Sequence, residues 1–156
     1  VTIACPGTPV FSAPAVTDNC DPNPAISFTD ASNLDGCGTG TITRTYTAVD
    51  CANNNAITVS QTVTIEDTTI PILANQGADV TIQCPSSTVF TDPDVTDNCD
   101  PSAVITSTDA SILDACGEGT VTRTWIATDC AGNVSIPVSQ TITIEDTTSP
   151  VMTNQG

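Results

Sequence analysis

The stretch TITRTYTAV, residues 41–49, alternates: Ile42, Tyr46 and Ala48 fall on one face and threonines on the other. Downstream, ITVSQTVTI at 57–65 repeats the habit with Ile57, Val59, Val63 and Ile65. Period-two placement of β-branched and aromatic residues indicates half-buried strands. The DCANN at 50–54 between them is rich in turn formers and suits a hairpin connection. Upstream, VTIA, PVFSAPAV and AISFTDA are shorter candidate strands broken by Pro, Asp and Asn. No segment carries a helical period. About seven short strands per module predict an all-β, immunoglobulin-like Greek-key β-sandwich.

The same reading applies twice. TVTRTWIAT (120–128), DCAGN (129–133) and IPVSQTITI (136–144) match the first set at an offset of 79 residues. VTDNCDP occurs unchanged at 16–22 and 95–101, IEDTTIP recurs as IEDTTSP, and NQG stands at 75–77 and 154–156. About two thirds of the aligned positions are identical, so the chain is two tandem modules in register. Their expected bounds are 1–77 and 80–156, with a Pro-containing linker, TIPILANQG, over about 70–79. Ile70, Ile72 and Leu73 in that linker are expected to pack into the junction or to continue an edge strand. Val1 matches Val80 and Gly156 matches Gly77, which reads as a window on a longer array.

Composition narrows the function. With 18 acidic residues, two arginines, no lysine and no histidine, the net charge is −16. Such a chain has no basic patch to release counterions from nucleic acid or anionic lipid. No apolar run approaches the length of a membrane span. Without His or Lys there is no Ser–His pair, Schiff-base lysine or phosphate-binding lysine, so an enzyme is not expected.

Eight cysteines in two sets of four predict an oxidising, extracellular compartment and a disulfide framework. Zinc would call for CxxC or His, and neither is present. Cys37 and Cys51 flank a nine-residue strand about 30 Å long, whereas bonded cysteines have Cα atoms within about 7 Å. In a sandwich, Cys20 and Cys51 fall in loops at one end and Cys5 and Cys37 at the other. The expected pairs are therefore Cys5–Cys37 and Cys20–Cys51, repeated as Cys84–Cys116 and Cys99–Cys130. Each would add roughly 3–4 kcal/mol to a small core centred on Tyr46 or Trp125.

The run TDNCDP, then TxTxxDCAxN, then a closing EDTTxP resembles the hyalin-repeat (HYR-like) family, in its four-cysteine version. That version is found in tandem arrays on Bacteroidota surface proteins of gliding and adhesion type. The resemblance covers both modules and implies an immunoglobulin-like fold and a stalk or adhesive role at the cell surface. Neighbouring repeats, surface glycans or other cells are the expected partners. A non-covalently assembled filament is the first alternative, and a carbohydrate-binding accessory module the second.

The acidic turns are the candidate site. Asp18, Asp21, Asp50 and Asn54 of the first module, and Asp97, Asp100, Asp129 and Asn133 of the second, gather oxygens at one end. Glu66 and Asp67 precede the linker. No cofactor is required by this reading, but a structural Ca²⁺ near the junction is a candidate, since calcium takes six to eight oxygens. The competing reading makes these residues turn formers and solubilising charge. Arg44 and Arg123 are expected in structural pairs with a carboxylate such as Asp30 or Asp35. Thr68 and Thr147, in DTT sequences, are candidate O-glycan sites, and Asn133 heads an NVS sequon.

Overall fold

The computed structural model describes residues 1–153. The NQG at 154–156, and with it the end of the second module, lies outside the described residues. All the regular structure described is β. The chain forms two compact units, Val1–Thr69 with Asn98–Asp100, and Ile70–Asp97 with Pro101 onward. The linker therefore counts with the second unit.

The first unit carries β1 (Thr2–Ala4), β2 (Ala25–Leu34), β3 (Gly40–Val49) and β4 (Val59–Glu66). They form one sheet in the order β1-β4-β3-β2, with β1 parallel to β4 and the rest antiparallel. In the second unit β5 (Ile72–Ala74) precedes β6 (Val80–Gln83), β7 (Asp94–Thr96), β8 (Val104–Leu113), β9 (Gly119–Thr128) and β10 (Val138–Glu145). There β6-β10-β9-β8 repeats the four-stranded order, and β5 and β7 pair antiparallel as a second small sheet. Two tandem immunoglobulin-like modules result. PVFSAPAV, expected as a strand, stays irregular in the first unit, and its counterpart contributes only β7.

Alternation along β3 and β9 decides which face is buried. Tyr46 and Ala48 are buried on β3, Trp125 and Ala127 on β9, and Val63, Ile65, Ile142 and Ile144 face the same cores from β4 and β10. The opposite face is a ladder of hydroxyls: Thr43 with Thr62 at 2.9 Å, Thr45 with Ser60 at 3.0 Å, and Thr122 with Thr141 at 3.0 Å. Cross-strand hydroxyl pairs of this kind stabilise a solvated sheet face by tenths of a kcal/mol up to about 1 each. The β2–β3 hairpin closes on Gly40, whose φ is 135°; a Cβ there would strike the Asn33 carbonyl.

The cysteine pairing differs from expectation. Cys5 is bonded to Cys99, with Cα atoms 5.9 Å apart, and not to Cys37. Cys99 is thus unavailable to Cys130. Cys37 and Cys130 are also disulfide-bonded, while Cys20, Cys51, Cys84 and Cys116 are free thiols. Strand order explains the failure of Cys5–Cys37. Cys5 follows β1 and Cys37 sits in the turn entering β3, and β4 lies between those strands. Two strand spacings are about 10 Å, beyond disulfide reach. The same order, with β10 between β6 and β9, separates Cys84 from Cys116. The Cys20 and Cys51 loops do meet, but through a hydrogen bond: the Cys51 amide donates to Asp21 Oδ2 at 2.9 Å.

Candidate functional site

The acidic residues act first as caps of their own turns. Asp18 Oδ1 accepts from the amides of Asp21 (2.8 Å) and Cys20 (2.9 Å), and these bonds hold its carboxyl below the usual range. Asp21 accepts from the Asn23 amide at 2.9 Å with one oxygen and from Cys51 with the other. Asp50 accepts from the Asn54 side chain and amide, both at 2.7 Å, and from the Ala52 amide. Those bonds, the Asn54 side chain first, hold its carboxyl low, while the negative charge of Asp18 works against them. Asp18, Asp50 and Asn54 line one cleft of about 220 Å³ in the first unit, so three of the four predicted oxygen donors there share a site.

In the second unit Asp129 repeats the cap, accepting from the Asn133 amide and side chain, both at 2.8 Å. It is only 5% exposed. Asp97 and Asp129 bring carboxylate oxygens within 4.8 Å of each other, a crowding of like charge. Asp67 accepts from the Thr69 amide at 3.0 Å in its own turn. Asp100 ends the short segment Asn98–Asp100 that counts with the first unit. Glu66 ends β4, where its carbonyl accepts from the Cys5 amide at 2.9 Å. Thr68 is exposed, whereas the Thr147 hydroxyl donates to Gln83 Oε1 at 2.9 Å.

Each arginine is held in an ion pair across its hairpin. Arg44 lies opposite Asp30 across β2–β3 and grips both its oxygens, at 2.7 and 2.8 Å. Its guanidinium also sits over the rings of Phe28 and Phe11, 3.8 and 4.5 Å from their centroids. Arg123 does the same with Asp109 and Phe90. The hydrogen bonds from each arginine hold its partner's carboxyl below the usual carboxylate range. Asp35, the other candidate partner, instead caps its hairpin with Cys37 and Thr39.

On the linker side of the second core, Leu73 was legible as a packing or edge-strand residue, whereas Asp92 and Gln140 were missed. Leu73 on β5 is 9% exposed and clusters with Trp125 and Ala127, with Phe90, Val95, Ile105 and Val138 packed around them. The Trp125 indole N–H donates to Asp92 Oδ1 at 3.0 Å. Gln140, 4% exposed, donates to the Ala78 carbonyl and accepts from the Thr91 amide, tying the chain just after β5 into the sandwich. The signal for Gln140 was its place in the repeated VSQT. In the first unit, among the described residues, the Gln61 side chain accepts only from the Ser12 amide. The place that Leu73 fills in the second core is here an open groove of about 100 Å³. It is lined by Pro14, Val16, Ile26, Tyr46, Ala48 and Val59. Ile26 and Val59 stand 41% and 50% exposed, and residues 15–17, the counterparts of β7, form no strand.

The chain is 35% identical to hyalin of Strongylocentrotus purpuratus over 142 residues, 84% of this chain, and spans 11% of hyalin's length. It is also similar to fibronectin(III)-like modules of Clostridium thermocellum CbhA, at 14% identity and a TM-score of 0.41, covering 91% of this chain and 88% of that one. Human protocadherin-24 EC1-2 is matched at 16% identity and a TM-score of 0.39, over 88% of each chain. Residues 1–65 and 72–144 each match the family described as the HYR-like domain with 4 cysteines. The chain belongs to that family of extracellular repeat domains and carries two of its members in tandem.

Proposed function

We propose that the chain is a segment of an extracellular stalk or adhesive fibre, with a mechanical and not a catalytic role. One observation carries this reading: the second sandwich is completed by a strand that precedes its own repeat, β5, with Leu73 in the core. A module built this way is whole only when something stands before it, which suits serial arrangement. Neighbouring repeats of the same kind are then the first partners. A filament of separate subunits exchanging the same strand is the rival, since strand addition serves polymerisation as well. Weighing the native polypeptide under reducing, denaturing conditions separates them. A mass many times that of two repeats is expected, and a mass near two repeats would hand the function to the filament. The carbohydrate-module reading loses its best platform, because Trp125 is 1% exposed and cannot stack on a sugar.

The Asp97–Asp129 crowding supports calcium as a ligand of the second unit. The carboxylates of Asp97 and Asp129 offer oxygen donors, which suit a hard cation. They supply fewer than the six to eight oxygens calcium takes, so backbone or water oxygens would complete the shell. Titration calorimetry of EGTA-stripped protein is expected to show uptake that Asp129→Asn abolishes. Absence of heat in the unsubstituted chain would end this reading.

A further inference from the structure

The Cys5–Cys99 bond joins the first cysteine of one repeat to the second cysteine of the next. The counterparts of its two ends, at the offset of 79 residues, are Cys84 and Cys20, and both are free. Cys84 occupies the same backbone frame as Cys5. Its amide donates to the Glu145 carbonyl at 3.0 Å, as that of Cys5 does to Glu66 at 2.9 Å, and each lies just past the strand parallel to the last of its sheet. Cys20 lies in the same VTDNCDP as Cys99 and is exposed.

A second contact accompanies the bond. Asn98 Nδ2 donates to the Cys5 carbonyl at 2.7 Å, so the TDNC turn docks on the Cys5 turn by a hydrogen bond as well. The matching donor, Asn19, makes no side-chain hydrogen bond among the described residues, and the matching acceptor is the Cys84 carbonyl. Asn19 with Cys20, and the Cys84 turn, thus each present one half of a docking pair that is seen complete once, at Cys5 and Asn98–Cys99.

We propose that Cys20 and Cys84 are crosslinking sites for further repeats of the same kind. Cys20 would take the Cys5-type cysteine of a preceding repeat, and Cys84 the TDNC cysteine of a following one. This rests on the serial-array reading and adds that the array is stapled covalently from repeat to repeat. Chemically, each staple removes two thiol protons and two electrons from a cysteine pair. The oxidised disulfide of a thiol–disulfide oxidoreductase accepts them, becoming a dithiol through a mixed-disulfide intermediate.

The test uses the 156-residue chain with Cys51→Ser and Cys116→Ser, leaving Cys20 and Cys84 as the free thiols. Oxidised glutathione serves as the oxidant, and linkage is read by non-reducing peptide mapping. The expected product is a head-to-tail ladder with Cys84 of one copy bonded to Cys20 of another, in excess of the symmetric Cys20–Cys20 and Cys84–Cys84 links. Adding Cys20→Ser to one batch and Cys84→Ser to another should reduce their mixture to dimers. Monomers that keep both thiols, or head-to-tail links no commoner than symmetric ones, would overturn the proposal. So would Cys20–Cys51 or Cys84–Cys116 bonds in the unsubstituted chain. Such bonds in a native polypeptide of high mass would sink the staple while leaving the array standing. Head-to-tail links with a native mass near two repeats would do the reverse.

Discussion

Trp125→Ala is expected to remove roughly 3–5 kcal/mol from the second unit, the cost of emptying a fully buried aromatic site. The side chain is 1% exposed, meets Phe90 edge to face at 6.2 Å between centroids, and packs against Leu73 and Ala127. A sandwich of about 80 residues holds on the order of 4–12 kcal/mol in all, so the unit would be left near its unfolding threshold at ambient temperature. Trp125→Tyr installs the residue that stands at the same place in the first repeat, Tyr46. It should cost about 1–3 kcal/mol, because most of the ring volume remains. Chemical denaturation followed by circular dichroism reads the loss. The chain has a single Trp and a single Tyr, so in Trp125→Ala the remaining fluorophore, Tyr46, reports on the first unit alone. That transition should not move. A loss below about 0.5 kcal/mol, the level of ordinary surface substitutions, would mean that Trp125 is not at the centre of this core.

The pattern from which this core was read is local, and local patterns survived well. TITRTYTAV announced β3 to within a residue at its start, since alternation on a pleated strand needs no knowledge of its partners. The separation of Cys37 from Cys51 likewise followed from the length of that strand. Cysteine pairing was not legible, because it depends on sheet order: the return of β4 between β1 and β3 puts Cys5 and Cys37 two strands apart. The partner of Cys5 lies 94 residues away, in a loop of the other repeat, which no within-module argument reaches. A repeat also shows its period without showing its phase. The 79-residue offset says how often the sandwich recurs, but the break falls before Ile70, ahead of the strand that the composition of the linker only hinted at. The acidic turns carried two meanings in sequence, cap and ligand. Capping is local and visible in the Asp–x–Asn and Asp–x–Cys spacings, whereas the approach of Asp97 to Asp129 required the fold.

Leu73→Asp is the substitution that separates linker from strand. Leu73 sits opposite Val95 in the β5–β7 pair and is buried among Trp125 and Ala127. Truncating such a leucine costs about 2–5 kcal/mol, and placing a carboxylate there adds the penalty of an unpaired charge in an apolar site. Together these approach the whole stability of the unit, so the second sandwich is expected to open at its β5–β7 side or unfold. Trp125 emission should shift to the red and become accessible to a neutral quencher, while Tyr46 keeps its native signal. Were the segment a tether, the change would cost less than about 0.5 kcal/mol and Trp125 would stay shielded. The control is built into the repeat. Met152 occupies the position equivalent to Leu73 and is 97% exposed, so Met152→Asp is expected to leave both units unmoved. The same change at the same repeat position, ruinous at 73 and silent at 152, is what a strand owned by the sandwich after it must give. A segment that belonged to the sandwich before it would give the opposite: damage at 73 would appear in the Tyr46 signal of the first unit, and Met152→Asp would disturb Trp125.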